Sequence, residues 1–152
     1  MLFRSWLGND NIHNITTQTS QALIELRDFG NQTAHASYGS FYIATETEKY
    51  ALHLANFSGT AGDAMSVHSG MNFSTLDQDN DQYYSSCARR FKGAWWYNSC
   101  HSSHLNGRYG DNKCGMGINW VSWRGYNYSL KESTMKVKPR QGKRSYMCFS
   151  FI

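Results

Sequence analysis

In the first 60 residues, apolar and polar positions alternate in short runs. Ala22-Leu-Ile-Glu-Leu-Arg-Asp-Phe29 sets Leu against charged residues in near alternation, the period of a half-buried strand. Ser40-Phe-Tyr-Ile-Ala-Thr45 and Tyr50-Ala-Leu-His-Leu-Ala-Asn-Phe57 predict two further strands, with Gly30-Asn31 and Ser58-Gly59 as the breaks between runs. Ahead of them, residues 9–19 hold a short helix capped by Asn9 or Asp10. Asp63 is placed to cap another short helix through Val67.

Beyond Gly70 the periodicity fades. Residues 71–128 carry four of the five Trp and three of the four Cys. Disordered segments are poor in aromatics, so this stretch is ordered by something other than backbone ladders: a disulfide, a metal, or both. Composition agrees. Ten Tyr, eight Phe and five Trp imply a core of aromatic packing, in which every buried hydroxyl and indole N–H needs a partner. The 152 residues make one loop-rich α+β or β domain, and not a bundle.

Charge excludes some partners. The net +4 is scattered, with Lys and Arg gathered only at Arg89, Arg90 and Lys92 and from Lys136 to Arg144, which gives no nucleic-acid face. No apolar run approaches the roughly 18 residues of a membrane span. Five Asn-X-Ser/Thr sequons, at Asn14, Asn31, Asn56, Asn72 and Asn127, and an even number of Cys point to a secreted, extracellular chain. Met1-Leu-Phe-Arg-Ser-Trp-Leu-Gly lacks the design of a signal peptide, so the expectation is a chain without its true N-terminal portion.

Two clusters carry chemistry. Asp77-Gln-Asp-Asn-Asp81 crowds three carboxylates and an amide into five residues, either a calcium loop or a solvated acidic turn. It is not an EF-hand, because Gln82 and Ala88 stand where the sixth-position Gly and twelfth-position Glu belong. Cys87 and Cys100 enclose a loop whose closure by a disulfide would stabilise the fold by roughly 3 kcal/mol. Zinc on Cys100, His101, His104 and Cys114 is the competing reading, and it lacks the usual tight clasp of paired ligands. Cys100-His101 as nucleophile and base is disfavoured, since adjacent residues rarely address one reacting atom. The chain does not read as an enzyme.

In order along residues 3–140 come Phe3-Arg-Ser-Trp-Leu-Gly-Asn-Asp-Asn-Ile-His13, Glu48-Lys-Tyr, Gly62-Asp-Ala-Met and Phe73-Ser-Thr-Leu-Asp-Gln-Asp-Asn-Asp81. Cys87-Ala, Gly93-Ala-Trp-Trp-Tyr, Cys100-His, Leu105-Asn-Gly-Arg-Tyr109, Gly117-Ile-Asn-Trp, Tyr126-Asn-Tyr-Ser and Met135-Lys-Val-Lys-Pro-Arg140 complete the series. This series resembles the fibrinogen C-terminal domain of ficolins, tachylectins, angiopoietins, tenascins and fibrinogen chains. The resemblance implies an α+β fold: a twisted sheet with short helices and a loop-rich C-terminal subdomain that binds calcium. Residues 1–140 would form that domain without its N-terminal portion, and 141–152 an appended tail.

By the same resemblance, Ca²⁺ would sit on the carboxylates of Asp79 and Asp81 and the backbone carbonyls of Tyr83 and Ser85. Cys87 and Cys100 would pair. The Ser99–Cys100 peptide would be cis, turning the N–H groups of Cys100 and His101 toward the acetyl oxygen of a sugar. Phe91, His101 and Tyr126 would line the methyl cup, and Cys114 stands where lectin members carry an aromatic wall. The function implied is calcium-dependent recognition of acetylated glycans in innate recognition. The alternatives are a receptor-ligand or matrix module that binds a cell-surface or matrix protein, and a fragment without function. Oligomerisation would come through an upstream segment.

Overall fold

The computed structural model describes residues 7–16, 20–139 and 147–150. A five-stranded antiparallel sheet forms its base, in the order β3-β2-β1-β6-β7: β1 (Ser20–Arg27), β2 (Thr33–Ile43), β3 (Leu52–Gly59), β6 (Glu132–Pro139) and β7 (Met147–Ser150). Between β3 and β6 the chain leaves the sheet and builds a loop-rich region. It contains α2 (Cys87–Phe91), a two-residue pair of strands β4 (Ser103–His104) and β5 (Asn119–Trp120), and α3 (Val121–Arg124). The chain then returns as β6, which lies beside β1 with Ile24 opposite Met135.

Alternation decides which face of the sheet is covered. Ala22, Ile24 and Leu26 of β1 and Ser133, Met135 and Val137 of β6 point to the core, while Glu25, Arg27, Glu132 and Lys136 point away and form the pairs Arg27–Glu132 and Lys136–Glu25. In β2 the buried set runs Ala34, Ala36, Tyr38 and then shifts phase to Phe41 and Ile43. The cause is a bulge: Ser20 faces Phe41 but Ala22 faces Tyr38, so β2 carries one extra residue there. β2 begins at Thr33, seven residues before the strand expected from Ser40. Its first half carries Ala34, Ala36, Ser37 and Gly39, small residues that gain their order from β1 and β3 on either side.

Helix α1 spans Asn9–Thr16, and residues 17–19 of the expected helix lie outside the described residues. It packs on β2 through Ile12 and Thr16; the Thr16 hydroxyl donates to the Ile12 carbonyl and accepts the N–H of Ile43. Asp10 does not serve as the cap. It sits in the first turn and accepts a hydrogen bond from Tyr50. Asp63 accepts the N–H groups of Met65 and Ser66, as a cap would, but it leads into only a single 3₁₀ turn at Ser66–His68. Of the tail expected over 141–152, residues 147–150 are β7, paired with β6 through Thr134–Val137, and 141–146 lie outside the described residues.

The loop-rich region is held by buried aromatics, most of them hydrogen-bonded. Trp95, Trp96, Tyr97 and Trp120 are fully enclosed. The indole of Trp96 donates to the Tyr50 carbonyl at 2.8 Å and that of Trp120 to Gly62 at 3.0 Å, each tying the loops to a turn beside the sheet. A part-buried pair, Arg124–Asp28 at 2.7 Å, ties α3 to the end of β1.

Candidate functional site

The site begins with α2, a single helical turn capped by Ser86, whose hydroxyl accepts the N–H of Arg89. One turn puts Cys87, Arg90 and Phe91 on neighbouring faces, because residues three and four apart adjoin. Cys87 is bonded to Cys100, with Cα atoms 5.6 Å apart. Cys100 is thereby neither a thiolate ligand for zinc nor a nucleophile. The bond draws the Ser99–Ser102 loop onto α2, and the Ser99–Cys100 peptide is cis.

A cavity of about 250 Å³ opens between these elements. Phe91, Cys100, His101 and Tyr126 all line it, so the residues expected at a ligand pocket are brought together. Phe91 stands edge-on to His101 with ring centroids 4.6 Å apart, and Tyr126 closes the other side, its hydroxyl donating to the His101 carbonyl at 3.0 Å. The Cys114 thiol is free and exposed on the rim. Tyr83, Arg90, Ser99 and Gly115 complete the lining and were not among the side chains expected to form the pocket. The helical spacing of Arg90 from Cys87 was the available signal for Arg90; Tyr83 and Gly115 carried none.

Arg90 is fixed rather than free. Its guanidinium donates to the Tyr83 hydroxyl at 2.9 Å and lies over the rings of Tyr83 and Phe91 at 5.8 and 5.3 Å. The floor of the pocket is neutral. Burial, and then the neighbouring His68, pushes His101 down to about 4; burial lowers His68 to about 4 and His104 well below its usual value. His68 also supports the loop, its Nε2 facing the N–H groups of Ser102 and Ser103 and its Nδ1 the Trp96 carbonyl at 2.8 Å.

The acidic loop meets the start of α2. Asp81 accepts the N–H of Tyr83 through Oδ1 and of Cys87 through Oδ2, both at 2.9 Å, and Asp79 accepts the N–H of Asp81 at 3.3 Å. Burial, and then the adjacent Asp79, raises the Asp81 carboxyl above its ordinary value despite those two donors. Two facing carboxylates repel unless a proton or a cation lies between them, and a hard divalent cation suits an all-oxygen donor set. Asp77 is drawn away, accepting from the Thr75 hydroxyl at 2.6 Å. Among the described residues no three His, Cys, Asp or Glu side chains cluster as metal ligands.

Similarity to known proteins agrees with these features. The family model for the C-terminal globular domain of fibrinogen beta and gamma chains matches residues 3–140. The chain is 47% identical over 143 residues to fibrinogen C domain-containing protein 1 of Macaca fascicularis, covering 88% of this chain and 33% of that protein. It is 45% identical over 138 residues to techylectin-5A of Tachypleus tridentatus, covering 88% of this chain and 47% of the relative. The fibrin D-dimer of lamprey, solved with the peptide Gly-His-Arg-Pro-amide, superposes with a TM-score of 0.85 at 36% identity, covering 92% of this chain and 52% of that one. The chain belongs to the fibrinogen C-terminal domain family, a family of recognition domains. It spans between a third and a half of the length of the two relatives named.

Proposed function

We propose that this chain is a secreted, calcium-dependent recognition module whose pocket takes the acetyl group of N-acetylated glycans. The observation that carries the reading is the convergence of Phe91, Tyr126 and neutral His101 around a cavity of about 250 Å³. A methyl group prefers an aromatic cup, and its carbonyl needs a small number of placed donors, here the backbone N–H groups of Cys100 and His101. The similarity to a techylectin supports a sugar as the ligand.

Calcium would be held by Asp79 and Asp81 with the carbonyls of Tyr83 and Ser85, where it would neutralise the paired carboxylates. The chain itself links that loop to the pocket. Asp81 holds the N–H of Cys87, Cys87 is bonded to Cys100, and Cys100 lines the cavity, while the Tyr83 ring forms another part of its wall. The ion therefore acts by fixing the loop and not by touching the sugar.

The test is binding to a multivalent surface of N-acetylglucosamine against one of glucosamine, with and without a calcium chelator. Calcium-dependent binding to the first alone, lost in Tyr126→Ala, is the expected result. Equal binding to both, or binding indifferent to Tyr126→Ala, overturns the reading. A second reading, recognition of a protein segment on a receptor or in the matrix, is favoured by the solved relative complexed with a peptide. Retention of a protein ligand by the Tyr126→Ala variant, with no sugar bound by the parent, would establish it.

A further inference from the structure

The loop that floors the acetyl pocket has a second side. On it lies another cavity, of about 260 Å³, bounded by Val67, Asn98 and Ser102, with His68 at its base. The two cavities share Ser99, Cys100, His101 and Tyr126, so one loop and one aromatic ring form the ridge between them. Val67, in the 3₁₀ turn after β3, is about half exposed, an apolar surface without cover. Asn98 donates its amide to the Val67 carbonyl, which fixes the two relative to each other and leaves its side-chain oxygen without a partner among the described residues. The hydroxyls of Ser99 and Ser102 likewise have no hydrogen-bond partner among the described residues, because His68 engages the backbone N–H of Ser102 and not its side chain.

An exposed apolar surface ringed by unspent hydroxyl and amide groups suits a pyranose ring, which presents a face of C–H groups and an edge of hydroxyls. Of these groups only Ser99 also borders the acetyl pocket; Val67, Asn98 and Ser102 face the second cavity alone. We infer that this cavity is a second subsite, which holds the sugar next to the acetylated one, so that the site reads at least two consecutive residues of an oligosaccharide across the Tyr126 ridge. The inference rests on the acetyl-pocket reading and adds to it: the first cavity selects the acetyl group, and the second selects chain length. Tyr126 is held for both roles by its hydrogen bond to the His101 carbonyl.

Calorimetric titration of the calcium-loaded chain with N-acetylglucosamine and with its β-1,4-linked dimer tests this. Two acetyl groups on one molecule give about a twofold advantage by counting alone. Occupation of a second subsite should make the dimer at least about tenfold tighter. In Val67→Asp, and separately in Ser102→Val, the ratio of dimer to monomer affinity should fall to about two; the two variants perturb different walls, so a folding defect in one leaves the other decisive. A ratio of about two in the parent chain, with the monomer binding, overturns the second subsite and leaves the acetyl pocket standing. So does a raised ratio that both variants retain. Failure of the folded chain to bind either sugar overturns the acetyl reading and the subsite with it.

Discussion

Gly115 shows how little room separates recognition from its loss. Its φ of +73° is a conformation that favours glycine, and a Cβ there would lie 2.7 Å from Cε1 of Phe91 and 3.3 Å from Cε1 of His101. Gly115→Ala should therefore destabilise the fold by about 1 kcal/mol or more, read as a lower midpoint in urea, and weaken sugar binding by displacing Phe91. An unchanged midpoint with full binding would show that the ring yields freely. Residues of this kind were invisible in the sequence. The acidic cluster at Asp77–Asp81 declared itself by charge density alone, but the partition of its members did not: Asp81 binds backbone, Asp79 faces it, and Asp77 turns aside to Thr75. The pocket residues could be named only through family resemblance, because Phe91, His101 and Tyr126 share no period and meet through loop geometry.

Among elements, α2 and its disulfide form the hinge between the proposed ion site and the cavity. Cys87→Ser together with Cys100→Ser should cost roughly 3 kcal/mol from loop-closure entropy and should also remove sugar binding, since Cys100 and His101 would lose their anchor. Peptide mapping of the parent without reduction should find Cys87 joined to Cys100 and the Cys114 thiol free. The tie between β1 and α3 has a pH signature. Burial alone would raise the Asp28 carboxyl, but the Arg124 guanidinium and the N–H of Gln32 outweigh it and hold the group below its ordinary value of 3.8. A carboxyl depressed in the folded state contributes stability above its unfolded pKa and loses it as pH falls through the folded one. Asp28→Asn should therefore lower stability at neutral pH and flatten its decline on acidification. Parallel acid limbs for parent and variant would contradict this.

Element legibility divided in the same way between local and distant causes. β1 and β3 appeared within a few residues of their expected bounds because their alternation is local. Half of β2 was hidden by small residues that only neighbouring strands order. The alternation in Ser133, Met135 and Val137 was present to be read, but its place beside β1 joins residues more than a hundred positions apart, as Ile24 opposite Met135 shows.

At the scale of the whole molecule, a sheet legible by period supports a loop region ordered by buried Trp, one disulfide and, as proposed above, an ion. If calcium binds only the native state, it should add about 2.7 kcal/mol of stability at roughly 100 times its Kd and so raise the melting temperature. Asp79→Ala with Asp81→Ala should abolish that response, and an undiminished response would place the ion elsewhere. The aromatic content seen in composition helps hold this region together: the indole N–H of Trp96 donates to the Tyr50 carbonyl, before β3, and that of Trp120 to Gly62, just after it.

The central claim is that a calcium-ordered aromatic cup seats an acetyl methyl. Saturation-transfer NMR on N-acetylglucosamine reads this atom by atom. With calcium present, irradiating the protein should saturate the acetyl methyl more strongly than any ring proton, and a chelator or Phe91→Ala should erase the effect. Saturation spread evenly over the ring, or a methyl signal that survives both chelator and Phe91→Ala, would contradict the claim.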